Sequence, residues 1–176
     1  MITVFLNAVN SIVEDSWLMV ITEHYLLLKT LHILGVIIFI GNIVVTAFWK
    51  IFADLSRNWQ IIAFSQRLVT YTDICFTFLG VLLIAVTGVL LAKNYGAYWN
   101  VHWIFWGLSL FIASGVIWLV VLIPLQIKLH RIASMFSKSE IIPQQYWIYE
   151  GIWATFGIIA TVLPFVTLYF MVFKPA

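Results

Sequence analysis

Four long apolar stretches dominate this chain, at about 25–48, 74–92, 101–125 and 147–173. Each is long enough to cross a hydrocarbon core ~30 Å thick, which takes about 20 helical residues. Lipid leaves only two ways to pair every backbone amide and carbonyl: the helix and the closed β-barrel. Barrel strands alternate apolar and polar residues over about ten positions, whereas Gly80-Val-Leu-Leu-Ile-Ala-Val is apolar throughout. The expected fold is therefore all-α, an integral membrane four-helix bundle. Composition agrees, with 64% hydrophobic and 9% charged residues, against roughly 25% charged in a soluble domain. Nine Lys/Arg and seven Asp/Glu cannot solvate a globule of this size, so the lipid bilayer is the solvent for most of the surface. A net charge of +2 gives no reason to expect a nucleic-acid partner. Cys75 is the lone cysteine, which excludes an intrachain disulfide.

The first twenty residues differ from the rest. Val4, Phe5, Ala8, Val9, Ile12 and Val13 recur at helical spacing, with Asn7, Asn10, Ser11 and Glu14 on other faces. This pattern predicts an amphipathic helix lying in the membrane–water boundary over 1–20, followed by the bundle over 21–176. Lys50, Arg57 and Arg67 follow the first span, and Lys128, Arg131 and Lys138 follow the third, whereas only Lys93 separates the second from the third. The positive-inside rule then places both termini outside. Tyr95, Tyr98, Trp99 and Trp103 read as an outer aromatic belt, and Trp49, Trp59, Tyr146 and Trp147 as an inner one.

Helices meet inside a membrane through small and polar side chains, because lipid tails give no hydrophobic drive for association. The first span offers His32, Gly35, Phe39, Asn42 and Thr46 as such a stripe. The second offers Asp73, Thr77, Gly80 and Thr87. The third offers Trp106, Ser109 and Ala113, with Gly107, Ser114 and Trp118 on a neighbouring face. The fourth offers Glu150, Ala154, Gly157, Thr161 and Pro164. Most of these residues are packing.

His32 is the sharpest chemical signal. It lies about seven residues inside the first span, roughly 10 Å at 1.5 Å per residue. Ionisable groups at such a depth face the bundle interior or a cavity. A neutral imidazole offers one lone pair, suited to haem iron or another transition metal. The alternative is a core histidine bonded to a neighbouring helix. Lys29, one turn outward, either snorkels to the interface or pairs with an anion such as a haem propionate. His102 opens the third span. As a partner for His32 it stands at a different depth, by ~10 Å if each is measured from its own span's midpoint. His24 reads as interfacial and His130 as a solvated loop residue. Asp73, Glu150, Arg67 and Lys128 lie near the inner ends of the spans and suggest a charge cluster there. The chain carries no CxxC, Walker loop or HExxH.

Leu28-Lys-Thr-Leu-His-Ile-Leu-Gly with Gly41 beyond it, Thr72-Asp-Ile-Cys-Phe-Thr, Val86-Thr-Gly-Val-Leu-Leu-Ala and the ending Met171-Val-Phe-Lys-Pro form an ordered set. Together they resemble a family of predicted bacterial integral membrane proteins without an assigned function, over about 25–175. That resemblance implies four spans and a bacterial inner membrane. Lys29-Thr-Leu-His followed by Gly41 is also similar to the first span of the J-type protoporphyrinogen oxidases and the copper-resistance D group. This second resemblance implies that His32 ligates haem b. The chain departs from it at Phe39, where those enzymes have tryptophan. It departs again at Asn100-Val-His-Trp-Ile-Phe-Trp, which lacks their lysine.

Two functions follow as expectations. One is a haem-b membrane protein in electron transfer or porphyrin-linked redox chemistry. His32 would be its metal ligand, with His102 and Lys29 at the cofactor and a quinone or redox protein as electron partner. The other is a non-enzymatic transporter, channel or accessory subunit. No inverted repeat is visible, so transport would call for a homo-oligomer to supply both halves. Copper handling is disfavoured, since four methionines and one cysteine make no soft-ligand cluster.

Overall fold

The computed structural model describes Leu6, Met19 and residues 21–96, 98–136 and 141–175. Four helices are long and apolar enough to cross a membrane: α1 (Tyr25–Leu55), α2 (Trp59–Tyr95), α3 (His102–Ala133) and α4 (Gln144–Phe173). No strand occurs among the described residues. The chain is thus an all-α, multi-pass membrane protein. The expected amphipathic helix over 1–20 lies outside the described residues, apart from Leu6 and Met19, which are exposed.

The helices outrun the apolar stretches. α1 continues past Phe48 to Leu55, and α2 starts at Trp59, well before Ile74. Much of what reads as a basic connection is therefore helix. Residues 59–72 stay helical because Ile62, Ser65, Gln66 and Val69 form a buried stripe at helical spacing. Only Ser56, Arg57 and Asn58 make the bend. Arg57 takes a left-handed φ of 53°, and the Asn58 side chain caps α2 by accepting from the amides of Gln60 (2.9 Å) and Ile61 (3.4 Å). At the other end of α2, Gly96 turns the chain with φ 71°, a conformation that costs glycine little.

Two helices carry widened π turns, at Asp73–Thr77 in α2 and Trp118–Leu122 in α3. Pro124 explains the second. It has no amide to give the carbonyl four residues back, and its ring crowds that carbonyl, so the preceding turn opens. Pro164 poses the same problem inside α4 and has a different solution. The carbonyl it leaves free is that of Ala160, and the Ser114 hydroxyl on α3 donates to it at 2.7 Å. A backbone acceptor that lipid could not satisfy is thereby paired between helices.

α1 packs chiefly along α2, and α3 along α4. We call the end carrying Tyr25, Tyr95, His102 and Phe173 the terminal end, and the opposite one the far end. Gly35 and Gly80 let the α1 and α2 backbones approach: a Cβ on Gly80 would stand 2.8 Å from Phe39 Cβ and 2.9 Å from Phe39 N. The two hairpins join at the far end around Ile62, Leu129, Ala133, Phe136 and Tyr146. Large side chains such as Ile37, Val120 and Ile158 point outward, as lipid-facing residues should.

Candidate functional site

The small-and-polar stripes are mostly turned inward. Gly35, Phe39, Asn42 and Thr46 of α1 are buried, as are Thr77, Gly80 and Thr87 of α2. On α4, Glu150 and Pro164 are buried while Ala154, Gly157 and Thr161 are half-buried. α3 corrects the expectation. Trp106 and Ala113 are exposed and Ser109 is half-buried, while Gly107 and Ser114 on the neighbouring face are buried. The Ser114–Ala160 bond, a Thr167 hydroxyl donated to the Gly107 carbonyl at 3.3 Å, and Met171 against Gly107 choose that face.

His32 is half-buried, with its Nδ1 3.0 Å from the Thr87 hydroxyl on α2. That hydroxyl donates its own hydrogen to the Leu83 carbonyl. Thr87 can then only accept from the ring, so the neutral imidazole carries its proton on Nδ1 and its lone pair on Nε2. Gly88 gives the ring room, for a Cβ there would lie 3.1 Å from His32 Cε1. Lys29 is exposed one turn outward, its ammonium 5.9 Å from the Tyr25 ring centre.

His102 is exposed at the start of α3, its ring 6.2 Å from that of Trp106 and 6.5 Å from that of Phe170 on α4. Depth separates it from His32 less than the span midpoints suggest. The Phe39 and Phe111 rings meet at 6.2 Å. Sliding seven residues outward from Phe39 reaches His32, and nine from Phe111 reaches His102, a difference of about 3 Å along the axis. Direction is what divides them: the His32 ring rests on α2 and the His102 ring on aromatic groups of α3 and α4. No group of three or more His, Cys, Asp or Glu side chains is arranged to hold a metal ion among the described residues.

The far end holds a second polar constellation. Lys50 is 2% exposed, and its ammonium lies 2.7 Å from Asp54 Oδ2, 2.7 Å from Tyr146 Oη and 3.0 Å from Glu150 Oε2. The Tyr146 hydroxyl in turn donates to Asp54 Oδ1 at 2.9 Å. The Glu150 contact is an ion pair by distance without the alignment of a hydrogen bond. Two carboxylates and a phenol thus enclose one ammonium, and the enclosure ties α1 to α4. Tyr146, expected in the inner aromatic belt, is instead fully buried at the centre of the far-end core. Arg67 and Lys128 are not partners of Glu150: Lys128 lies 5.4 Å from the Tyr149 ring centre, and Arg67 lines a cleft with His130. His130 is half-buried on α3 rather than in a loop.

Between the two ends, Asp73 sits on the π turn of α2. Its Oδ1 accepts from Asn42 Nδ2 at 3.2 Å and from the Thr77 hydroxyl at 3.0 Å, and Asn42 Nδ2 also donates to Thr77 at 2.9 Å. Thr46 extends this set along α1 by donating to Asn42 Oδ1 at 3.4 Å. Every one of these groups finds a partner on the same helix or its neighbour. The arrangement holds α1 against α2, and it places polar side chains around a π turn, a feature frequent at functional positions.

No curated protein and no solved structure matches the chain. Residues 26–175 do match a family described as predicted integral membrane protein (DUF2269), and with that match extending over nearly the whole bundle, the chain belongs to this family.

Proposed function

We propose that this protein binds haem b in a bacterial inner membrane and serves electron transfer or porphyrin-linked redox chemistry, with His32 as the axial ligand. The observation that carries the proposal is the hydrogen bond between His32 Nδ1 and Thr87. It fixes the tautomer whose Nε2 lone pair suits iron, the outer-shell device that orients ligating histidines in metalloproteins. His32 would hold the iron through Nε2. Haem would supply one-electron chemistry at its iron, and burial and ligand identity would tune it. His102, at the same end of the bundle, is assigned to the second ligand or to the pocket wall. Lys29, toward water, is assigned to a propionate. A quinone or a redox protein would exchange the electron.

Detergent-purified protein, expressed with ample haem, should show a Soret band and a reducible α band. His32→Ala should lose most of the bound haem. Lys29→Ala should weaken binding only by about 1 kcal/mol, since a propionate contact near water is screened. His130→Ala, at the opposite end of α3, should change nothing. Colourless wild type, or His32→Ala with an unchanged spectrum, overturns the assignment.

The second reading is a non-enzymatic transporter, channel or accessory subunit, and the Asp73–Asn42–Thr77 set at the α2 π turn favours it. Intramembrane carboxylates mark ion or substrate paths by default. The same spectrum decides, because this reading needs no chromophore.

Orientation belongs to the proposal too. Lys/Arg asymmetry places the far end in the cytoplasm and both termini in the periplasm. Reporter fusions at Ser56 and Ser137 should read cytoplasmic and one at Tyr98 periplasmic. The opposite pattern at all three would reverse the orientation.

A further inference from the structure

A cleft of about 380 Å³ opens between α2 and α3 at the far end. Trp59, Gln60, Phe64 and Arg67 of α2 form one wall, and His130 of α3 and Ser134 just beyond it stand opposite. Each of its polar side chains offers at least one donor, and its one permanently charged group is a cation. Arg67 presents a guanidinium, His130 an imidazole and Gln60 an amide. The Ser134 hydroxyl is already donated to the Arg131 carbonyl at 2.7 Å, so its oxygen can only accept, as Gln60 Oε1 also can. No carboxylate lines the cleft, and Arg67 has no ion-pair partner among the described residues.

Position matters as much as charge. α2 has 37 residues, about 55 Å of helix at 1.5 Å per residue, against ~30 Å of hydrocarbon. If the helix is centred, about 12 Å projects at each end, and Arg67, the ninth residue, falls near the boundary. The last turn of α3, which carries His130, projects just beyond its own boundary by the same arithmetic. Phe64, one turn from Arg67 on the water side, is 64% exposed. His130 in that last turn also complements the helix dipole. Arg67, in the interior of a long helix, has no such explanation.

We infer that this cleft binds a phosphate ester anion, held by the Arg67 guanidinium and the His130 imidazole. Planar guanidinium matches phosphate oxygens two at a time, and basic pockets between membrane helices at headgroup level take anionic lipid heads. The chemistry has two sources, the headgroup of an anionic phospholipid or a soluble phosphate. The site is independent of the haem proposal, which concerns the other end of the bundle.

Full-length protein in neutral detergent, exposed to equal amounts of phosphatidylglycerol and phosphatidylcholine and read by native mass spectrometry, tests the inference. Wild type should retain phosphatidylglycerol about tenfold better than phosphatidylcholine. Arg67→Gln should remove most of that preference, and His130→Gln, an independent probe of the same cleft, part of it. Lys128→Gln, which removes a charge on α3 outside the cleft, should leave the preference intact. Inorganic phosphate is the second probe. Displacement of the lipid by millimolar phosphate in wild type assigns the site to a soluble phosphate. Lipid retained in its presence assigns the site to the headgroup. Absence of any preference for either probe, or equal losses in Arg67→Gln and Lys128→Gln, would show general surface charge and overturn the site.

Discussion

Replacing Lys50 with methionine is expected to cost about 3–5 kcal/mol of stability, the usual penalty for removing one partner of a buried charge pair. Methionine matches the length of the lysine stem and keeps the packing, but it leaves Asp54 and Glu150 facing each other without a cation. The site is dry enough for the penalty to apply, with side-chain exposures of 3% for Lys50, 17% for Asp54 and 10% for Glu150. Tyr146 cannot compensate, because its single hydroxyl hydrogen is already given to Asp54. Adding Glu150→Gln to Lys50→Met should restore part of the loss by removing one of the stranded carboxylates. Denaturant unfolding of the three proteins in one detergent gives the comparison. A loss below about 1 kcal/mol for Lys50→Met would place these groups in water, where ion pairs contribute that little.

Gly80→Ala should destabilise the protein by about 1–3 kcal/mol or more, as overpacking does in a filled interior. The added methyl would stand 2.8 Å from Phe39 Cβ, 2.9 Å from Phe39 N and 3.0 Å from Gly35 O. Two of these three atoms are backbone, so relief requires α1 and α2 to part. Gly107→Ala is the matched control. There the methyl would meet Met171 Cε at 2.6 Å, the free end of a flexible side chain that can swing aside, and the cost should stay below about 1 kcal/mol. Thermal melting of both variants decides; equal shifts would mean that α1 and α2 are not in backbone contact. Parting α1 from α2 also draws Thr87 away from His32, so Gly80→Ala should carry over to whatever His32 binds.

The four spans are legible in the sequence because a run of about twenty apolar residues has few alternatives. So is the inward face of α1, where Gly35, Phe39, Asn42 and Thr46 stand at three-and-four spacing. Continuing that spacing reaches Lys50, and Asp54 lies one turn further. The signal for the far-end constellation was present, but a lysine after an apolar run reads first as an orientation charge. Tyr146 misleads for a related reason, since a tyrosine at a helix start resembles an interfacial ring. Residues 59–72 are too polar to register as a span, and their helix shows only as a buried stripe. α3 offers two adjacent small-residue faces, and the choice between them is made by α4, which no local pattern encodes.

The Ser114–Ala160–Pro164 arrangement constrains the order in which this sequence can change. Losing the serine first strands the Ala160 carbonyl in hydrocarbon, because Pro164 has no amide to give it, and each stranded group there costs several kcal/mol. Losing the proline first is mild. The new residue brings an amide that closes the ordinary helical bond to Ala160, and the Ser114 hydroxyl can turn to a carbonyl of its own helix. Neutral drift through this fold is therefore ordered at these two positions, with proline departing before serine and arriving only after it.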